Sequence, residues 1–234
     1  LCPNEIRPTL TGMNWGMLAV VGVAIVSIGI VTGWWAARLL DKGVRPAPVP
    51  AWGCAVGTGV LWAVVCALAH RGTWPPWWTP VPLAATAFAV PLALADLRHR
   101  RLPAVLTIPS YPLGAVAVAV AAFSGPGVTL LVTAVVGGVA AWGVHAVIHR
   151  VAPTSLGAGD VTLSGSLGLL AGAAGWPTLV VVTVLASAVT AVLAGVGLAA
   201  RVLRWRDGVP HGPGLLAATC VGVLFPGGLP SVGS

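Results

Sequence analysis

The chain holds only five carboxylates, Glu5, Asp41, Asp96, Asp160 and Asp207, so acid–base chemistry run by carboxyl groups must come from that short set. Glu5 lies in a polar amino-terminal tail, Asp41 beside Lys42 in a basic loop, and Asp207 between Arg206 and Gly208, and each reads as a solvated loop residue. Asp96 and Asp160 differ. Asp96 follows the apolar run VPLALA and Asp160 precedes VTLSGSLGLLAG, so both stand where an apolar helix meets a polar boundary. A carboxylate entering a membrane is expensive and marks a functional site by default. Two aspartates brought together from different helices cannot both ionise readily. One keeps a proton and polarises a carbonyl, while the other takes a proton from an attacking water. The chemistry this pair offers is aspartic proteolysis.

The elements that must position the pair follow from composition. The 234 residues are 57% hydrophobic and 7% charged, against about 25% charged in soluble domains. That excludes a soluble enzyme, and the scattered glycines and prolines exclude a collagen-like repeat. What remains is an all-α, polytopic membrane protein. At about 20 apolar residues per span, eight spans are expected, near 15–37, 51–69, 79–95, 104–123, 127–148, 161–175, 177–200 and 214–229, of which the third, sixth and eighth are short or broken by Gly and Pro. The expected organisation is a polar tail over 1–14, a single transmembrane unit over 15–229 and a tail over 230–234.

Charge tests the count, because Lys and Arg concentrate in cytoplasmic loops. With both termini outside, the inner loops carry Arg38, Lys42, Arg45, Arg98, Arg100, Arg101, Arg150, Arg201, Arg204 and Arg206, which leaves only Arg7 and Arg71 outside. Asp96 and Asp160 then share the inner face. Tryptophans fit an aromatic belt, with Trp15, Trp74, Trp77, Trp78 and Trp176 near outer ends and Trp34, Trp35, Trp52 and Trp205 near inner ends. Trp62 and Trp142 fall between, as helix-packing residues would. The Pro-containing segments 38–50 and 70–78 read as stiff linkers, and Gly53 with Gly57 and Gly168 with Gly172 have the spacing of close helix contacts. Cys2, Cys54, Cys66 and Cys220 form no CxxC pair and read as small buried hydrophobes. The chain begins with Leu1, which points to a trimmed fragment or a start placed too early, with Met13 and Met17 as candidate starts. The first apolar run is too long for a signal-peptide core and is expected to stay as a helix.

Three segments carry a family resemblance. Residues 95–109 read ADLRHRRLPAVLTIP, 157–163 read GAGDVTL and 209–215 read VPHGPGL. They resemble, in order, the signature regions of the type IV prepilin peptidase family: an Asp followed six and seven residues later by an aliphatic residue and Pro103; a GxGD motif with Gly157, Gly159 and Asp160; and a Pro-x-Gly-Pro segment with Gly212 and Pro213 opening the last helix. The resemblance implies a membrane aspartic endopeptidase with Asp96 and Asp160 catalytic. Its substrate would be a prepilin or pseudopilin with a basic leader, cut at the cytoplasmic face of the inner or plasma membrane. Proteolysis would need no cofactor. Some members also methylate the new amino terminus with S-adenosylmethionine, a second activity that the resemblance does not carry over. Two departures stand out. Thr162 replaces the Lys common two residues after the GxGD aspartate, and only 38–50 stands where larger relatives carry a zinc-binding insertion, so a compact peptidase without structural zinc is expected.

Helix ends suggest a division of labour. Asp160 should sit at a helix amino terminus, which favours an anion, and Asp96 at a carboxyl terminus, which does not. Asp160 is therefore expected as the ionised base and Asp96 as its protonated partner, with Arg98, Arg100 and Arg101 opposing that assignment. Rival readings are weaker. His145 and His149 share a helix face, but HAVIH lacks the Glu that a zinc peptidase uses as its base. Ser166 would need a helical His to become a nucleophile, and the only lysine, Lys42, lies in a loop. The basic loops need no nucleic acid, since orienting helices and meeting the lipid bilayer explain them. A small proton-coupled transporter using Asp96 and Asp160 as relay groups is the alternative class, and it calls for acids near mid-span and two related halves.

Overall fold

The computed structural model describes residues 15–43, 45–153, 156–200, 210–227 and 229. The described residues are helical, with no strand among them: α1 (Trp15–Lys42), α2 (Ala51–His70), α3 (Pro80–Ala87), α4 (Ala89–His99), α5 (Ala104–Thr107), α6 (Ser110–Ser124), α7 (Val128–Val151), α8 (Ala158–Ala173), α9 (Trp176–Ala199) and α10 (Gly212–Leu224). Six stretches are long and apolar enough to cross a membrane: Met17–Lys42, Ala51–His70, Pro76–His99, Ala104–Ser124, Val128–Val151 and Trp176–Ala199. The sixth and eighth expected spans are present as helices of 16 and 13 residues, about 24 and 20 Å long at 1.5 Å per residue. Both are shorter than the roughly 30 Å hydrocarbon layer.

The short helices survive because others enclose them. Nearly every residue of α10 is buried, and α8 is buried continuously from Leu163 to Gly168. The long outer helices face the other way: Val180, Val181, Val184, Val192 and Val196 on α9 and Val20, Val21 and Val23 on α1 are exposed, an apolar surface that only lipid satisfies.

The third and fourth spans are broken by proline chemistry. Pro91 lacks an amide proton and its ring clashes with the carbonyl four residues back, at Ala87, and α3 ends there, with Phe88 leaving helical geometry (φ −112°, ψ 4°) before α4 begins. Pro112 acts in the same way on Ile108, between α5 and α6.

Glycine sets the tightest contact. A Cβ on Gly137 would lie 2.6 Å from the Gly172 Cα and 2.9 Å from the Gly168 carbonyl, and one on Gly172 would lie 2.7 Å from the Thr133 carbonyl. The backbones of α7 and α8 therefore touch, and in lipid such van der Waals contact replaces the hydrophobic drive. Of the two expected glycine pairs, Gly168 and Gly172 serve this contact. Gly57 instead lies against Val90, while Gly53 meets only Pro50.

The tryptophan expectation holds in part. Trp34, Trp35, Trp52 and Trp176 are exposed, and Trp62 packs on Gly29 as a helix-packing residue should. Trp74 and Trp78 are buried, and the Trp78 indole N–H donates to the Val223 carbonyl at 2.9 Å, so these two belong to the core rather than to a belt. Trp142 is half exposed on α7 rather than enclosed between helices. Residues 1–14 and 230–234, with Glu5 and Asp207, lie outside the described residues, as do the basic residues Arg7, Arg201, Arg204 and Arg206.

Candidate active site

Asp96 lies in the last turn of α4, which runs four residues beyond the expected end of that span, and its side chain is buried. The helix stops at Arg100, whose backbone is left-handed (φ 50°, ψ 43°) and whose amide donates to the Asp96 carbonyl at 2.7 Å. A non-glycine residue in this region costs about 1 kcal/mol or more, and the turn sends Arg101, Leu102 and Pro103 back beneath the helix. Pro103 supplies the extended residue before α5, and its carbonyl receives the Leu106 and Thr107 amides.

The segment after α1 holds this turn in place. The His99 Nε2–H donates to the Pro48 carbonyl at 3.0 Å and the Arg101 guanidinium donates to the Pro46 carbonyl, while Ala47 and Val49 are buried in the core. The linker that sequence marks only as stiff thus braces the end of α4.

Asp160 is the third residue of α8. Its Oδ2 accepts the Gly157 amide proton at 3.2 Å, which is half of a capping box, since Gly157 has no side chain to return the bond. Its Oδ1 is buried without a partner. Asp160 stands at the start of α8, outside the six spans, and burial pushes its carboxyl up to about 6 against the lowering effect of the Gly157 hydrogen bond. An unpaired, desolvated oxygen favours a bound proton.

Asp96 is bound in a parallel way. Its Oδ2 accepts the amide proton of Gly212, the first residue of α10, at 3.1 Å. That bond bears on the division of labour expected from the two parent helices. The Asp96 carboxylate stands at the amino terminus of α10, where an anion is favoured, so both aspartates receive a helix-start amide, and the parent helices do not decide which is the base. The two carboxylates lie within electrostatic reach of each other.

Leu102 joins the three motif segments. A Cβ on Gly159 would lie 3.0 Å from the Leu102 Cβ, and one on Gly212 would lie 3.2 Å from both Leu102 methyl carbons and 2.7 Å from Asp96 Oδ2. Both glycines are therefore needed for close approach. Pro213 sits within the first turn of α10, where its missing amide proton costs nothing.

The histidines do not form the metal pair that their spacing allows. His145 donates from Nδ1 to the Ala141 carbonyl of its own helix at 2.8 Å, and His149 donates from Nδ1 to the Leu156 carbonyl at 2.7 Å, which anchors the segment leading into Gly157. His145 instead faces His211, with ring centroids 5.8 Å apart. His211 precedes α10 and is held by Thr190 at 2.8 Å; burial and then His145 push its pKa down, so it is neutral near pH 7. Among the described residues, no group of three His, Cys, Asp or Glu side chains gathers as a metal would need. Ser166 donates to the Leu163 carbonyl and receives the Ser110 hydroxyl at 2.8 Å, with no histidine in that network. The Thr162 carbonyl accepts the Tyr111 hydroxyl at 2.6 Å, and the Tyr111 ring system crowds Gly165.

Sequence marks Leu102 only as the aliphatic position before Pro103, His149 only as half of a possible metal pair and His211 only as a residue within the third segment; their contacts with Gly159 and Gly212, with the Leu156 carbonyl and with Thr190 and His145 join segments that no spacing relates. The model of the type IV leader peptidase family matches residues 83–195, just under half of the chain, a stretch that includes Asp96 and Asp160 but not the 209–215 segment. Comparison with curated proteins and with solved structures gives no match.

Proposed function

We propose, for a chain that belongs to the type IV leader peptidase family through residues 83–195, that it is a multi-pass membrane aspartic endopeptidase whose reacting groups are Asp96 and Asp160. A prepilin-type substrate follows from the family. The finer reading is that the leader is basic, that the cut is made at the cytoplasmic face of the cell membrane with both termini outside, and that the two aspartates share one proton. The observation that supports it best is the parallel anchoring of two carboxylates, Asp96 buried and Asp160 half-buried, each by one backbone amide at a helix start.

In this mechanism, amides from Gly157 and Gly212 fix one oxygen of each aspartate, and the remaining oxygens face the reaction. A water held between the carboxyls gives a proton to the ionised aspartate as its oxygen attacks the scissile carbonyl carbon. The protonated aspartate hydrogen-bonds the carbonyl oxygen and passes its proton there as negative charge develops. As the resulting diol collapses, one of its hydroxyls returns a proton to the aspartate that gave one, the C–N bond breaks, and the proton taken from water goes to the departing amine. The pair ends with one proton, as it began. Leader removal in this scheme uses no cofactor; S-adenosylmethionine would be needed only by a separate methylating activity.

The transporter reading gains nothing from the helix breaks, because Asp96 lies eight residues beyond the break at Phe88 and in the last turn of α4. Co-expression with a pilin-like protein that has a basic leader and a long apolar helix tests the proposal: the leader should be lost only when this chain is present. Proton flux in vesicles without leader removal would support the transporter instead.

A further inference from the structure

A cleft of about 880 Å³ opens between the end of α1 and the start of α5, outside the aspartate pair and lined by Lys42, Gly43, Arg45 and residues 101–105, 108 and 109. Its lining combines two chemistries. Lys42, Arg45 and Arg101 are exposed cations, and Val105, Ile108 and Pro109 are apolar, with Ile108 61% exposed. Lys42 ends the span Met17–Lys42, so its ammonium stands at the level where hydrocarbon gives way to headgroups. Arg101 spends one N–H on the Pro46 carbonyl and, with five donors on its guanidinium, keeps others for a ligand. Among the described residues none of the three cations is paired with a carboxylate.

From this juxtaposition we infer that the cleft is a binding site for an anionic phospholipid, with its phosphate among Lys42, Arg45 and Arg101 and an acyl chain along Val105 and Ile108. A cationic peptide is repelled by these cations, and a free phosphate leaves the apolar residues uncovered. A basic pocket at the end of a membrane helix, open to the hydrocarbon, matches both parts of a lipid. The site shares Leu102 and Pro103 with the turn that follows Asp96, so an occupied cleft would press on that turn.

The test uses the full chain in nanodiscs of equal parts phosphatidylglycerol and phosphatidylcholine, extracted into detergent and read by native mass spectrometry. The parent protein should retain phosphatidylglycerol above its share. Lys42→Gln with Arg45→Gln should reduce retention roughly fivefold for each charge removed, and these changes leave the Arg101 brace to Pro46 intact. Ile108→Glu should reduce it with all three cations present. Arg71→Gln with Arg150→Gln should leave it unchanged. Equal retention of the two lipids, an equal loss in the Arg71 and Arg150 variant, or displacement of the lipid by excess inorganic phosphate would each overturn the assignment. The readout is lipid retention, so the outcome does not depend on peptidase activity.

Discussion

The amide of Gly212 and Oδ2 of Asp96, 116 residues apart in sequence, are joined by a hydrogen bond of 3.1 Å. One bond therefore ties the last turn of α4 to the first turn of α10 and gives the Asp96 carboxylate a helix start that its own helix denies it. Asp160 obtains the same from Gly157 within its own turn. The equivalence of the two carboxylates rests on two glycines, one local and one distant.

Gly212→Ala should separate catalysis from stability. Its new Cβ would meet Asp96 Oδ2 at 2.7 Å, displacing the carboxyl that the site positions, and a misplacement of about 1 Å can cost on the order of a hundredfold. Cleavage should therefore fall at least tenfold while the melting temperature moves little. Gly214→Ala should do the reverse, because its Cβ would meet the Ala186 carbonyl at 2.8 Å, and overpacking of this kind costs about 1–3 kcal/mol. Leader-removal rate and thermal unfolding, measured on both variants, separate the two effects; unchanged cleavage by Gly212→Ala would mean the close approach is dispensable.

His149 should matter as an anchor rather than as a ligand. Its Nδ1–H holds the Leu156 carbonyl at 2.7 Å, just before Gly157. Removing one such bond is worth about 1 kcal/mol, so His149→Ala should slow cleavage about fivefold, with partial recovery in His149→Gln, whose amide can donate. Chelators should leave the parent rate unchanged, and a rate that zinc restores after chelation would reopen the metal reading.

Ser166→Ala should cleave at the parental rate. The hydroxyl serves the Leu163 carbonyl and Ser110, so it has no base to make it a nucleophile. Abolished cleavage in a folded Ser166→Ala variant would favour a serine mechanism over the aspartate pair.

Asp160 should leave a mark on stability against pH. Burial raises its carboxyl from 3.8 to about 6, so the folded protein retains there a proton that the unfolded chain releases earlier. The associated stability is present below about pH 4 and is lost as the pH rises through 6. At 1.36 kcal/mol per pKa unit the effect is at most about 3 kcal/mol. Asp160→Asn cannot ionise, so its melting temperature relative to the parent should rise between pH 4 and pH 7 and then level off. A constant difference across that range would mean that the carboxyl is not desolvated in the folded state.

Sequence carried the helices well, because each is an apolar run bounded by charge or by Gly and Pro. It pointed to Asp96 and Asp160 because few carboxylates exist to choose among. What it could not carry are contacts made across the fold. The bond from Gly212 to Asp96, the bridging of Gly159 and Gly212 by Leu102, and the bracing of Arg101 by Pro46 join segments with no periodic relationship. The burial of Trp78 escaped for the same reason, since a tryptophan beside an apolar run looks alike whether it faces headgroups or donates to the Val223 carbonyl. The short α8 and α10 were expected as spans because hydropathy registers composition, whereas their enclosure by other helices is a property of packing.

Asp96 and Asp160 are proposed to act together on one leader peptide bond. The most direct test is the purified chain in proteoliposomes with a prepilin-like substrate, comparing the parent with Asp96→Asn and Asp160→Asn and reading the new amino terminus by mass spectrometry. The parent should make a single cut and neither variant any, with both variants still folded; substantial cleavage by either one would mean that the two aspartates do not act as a pair.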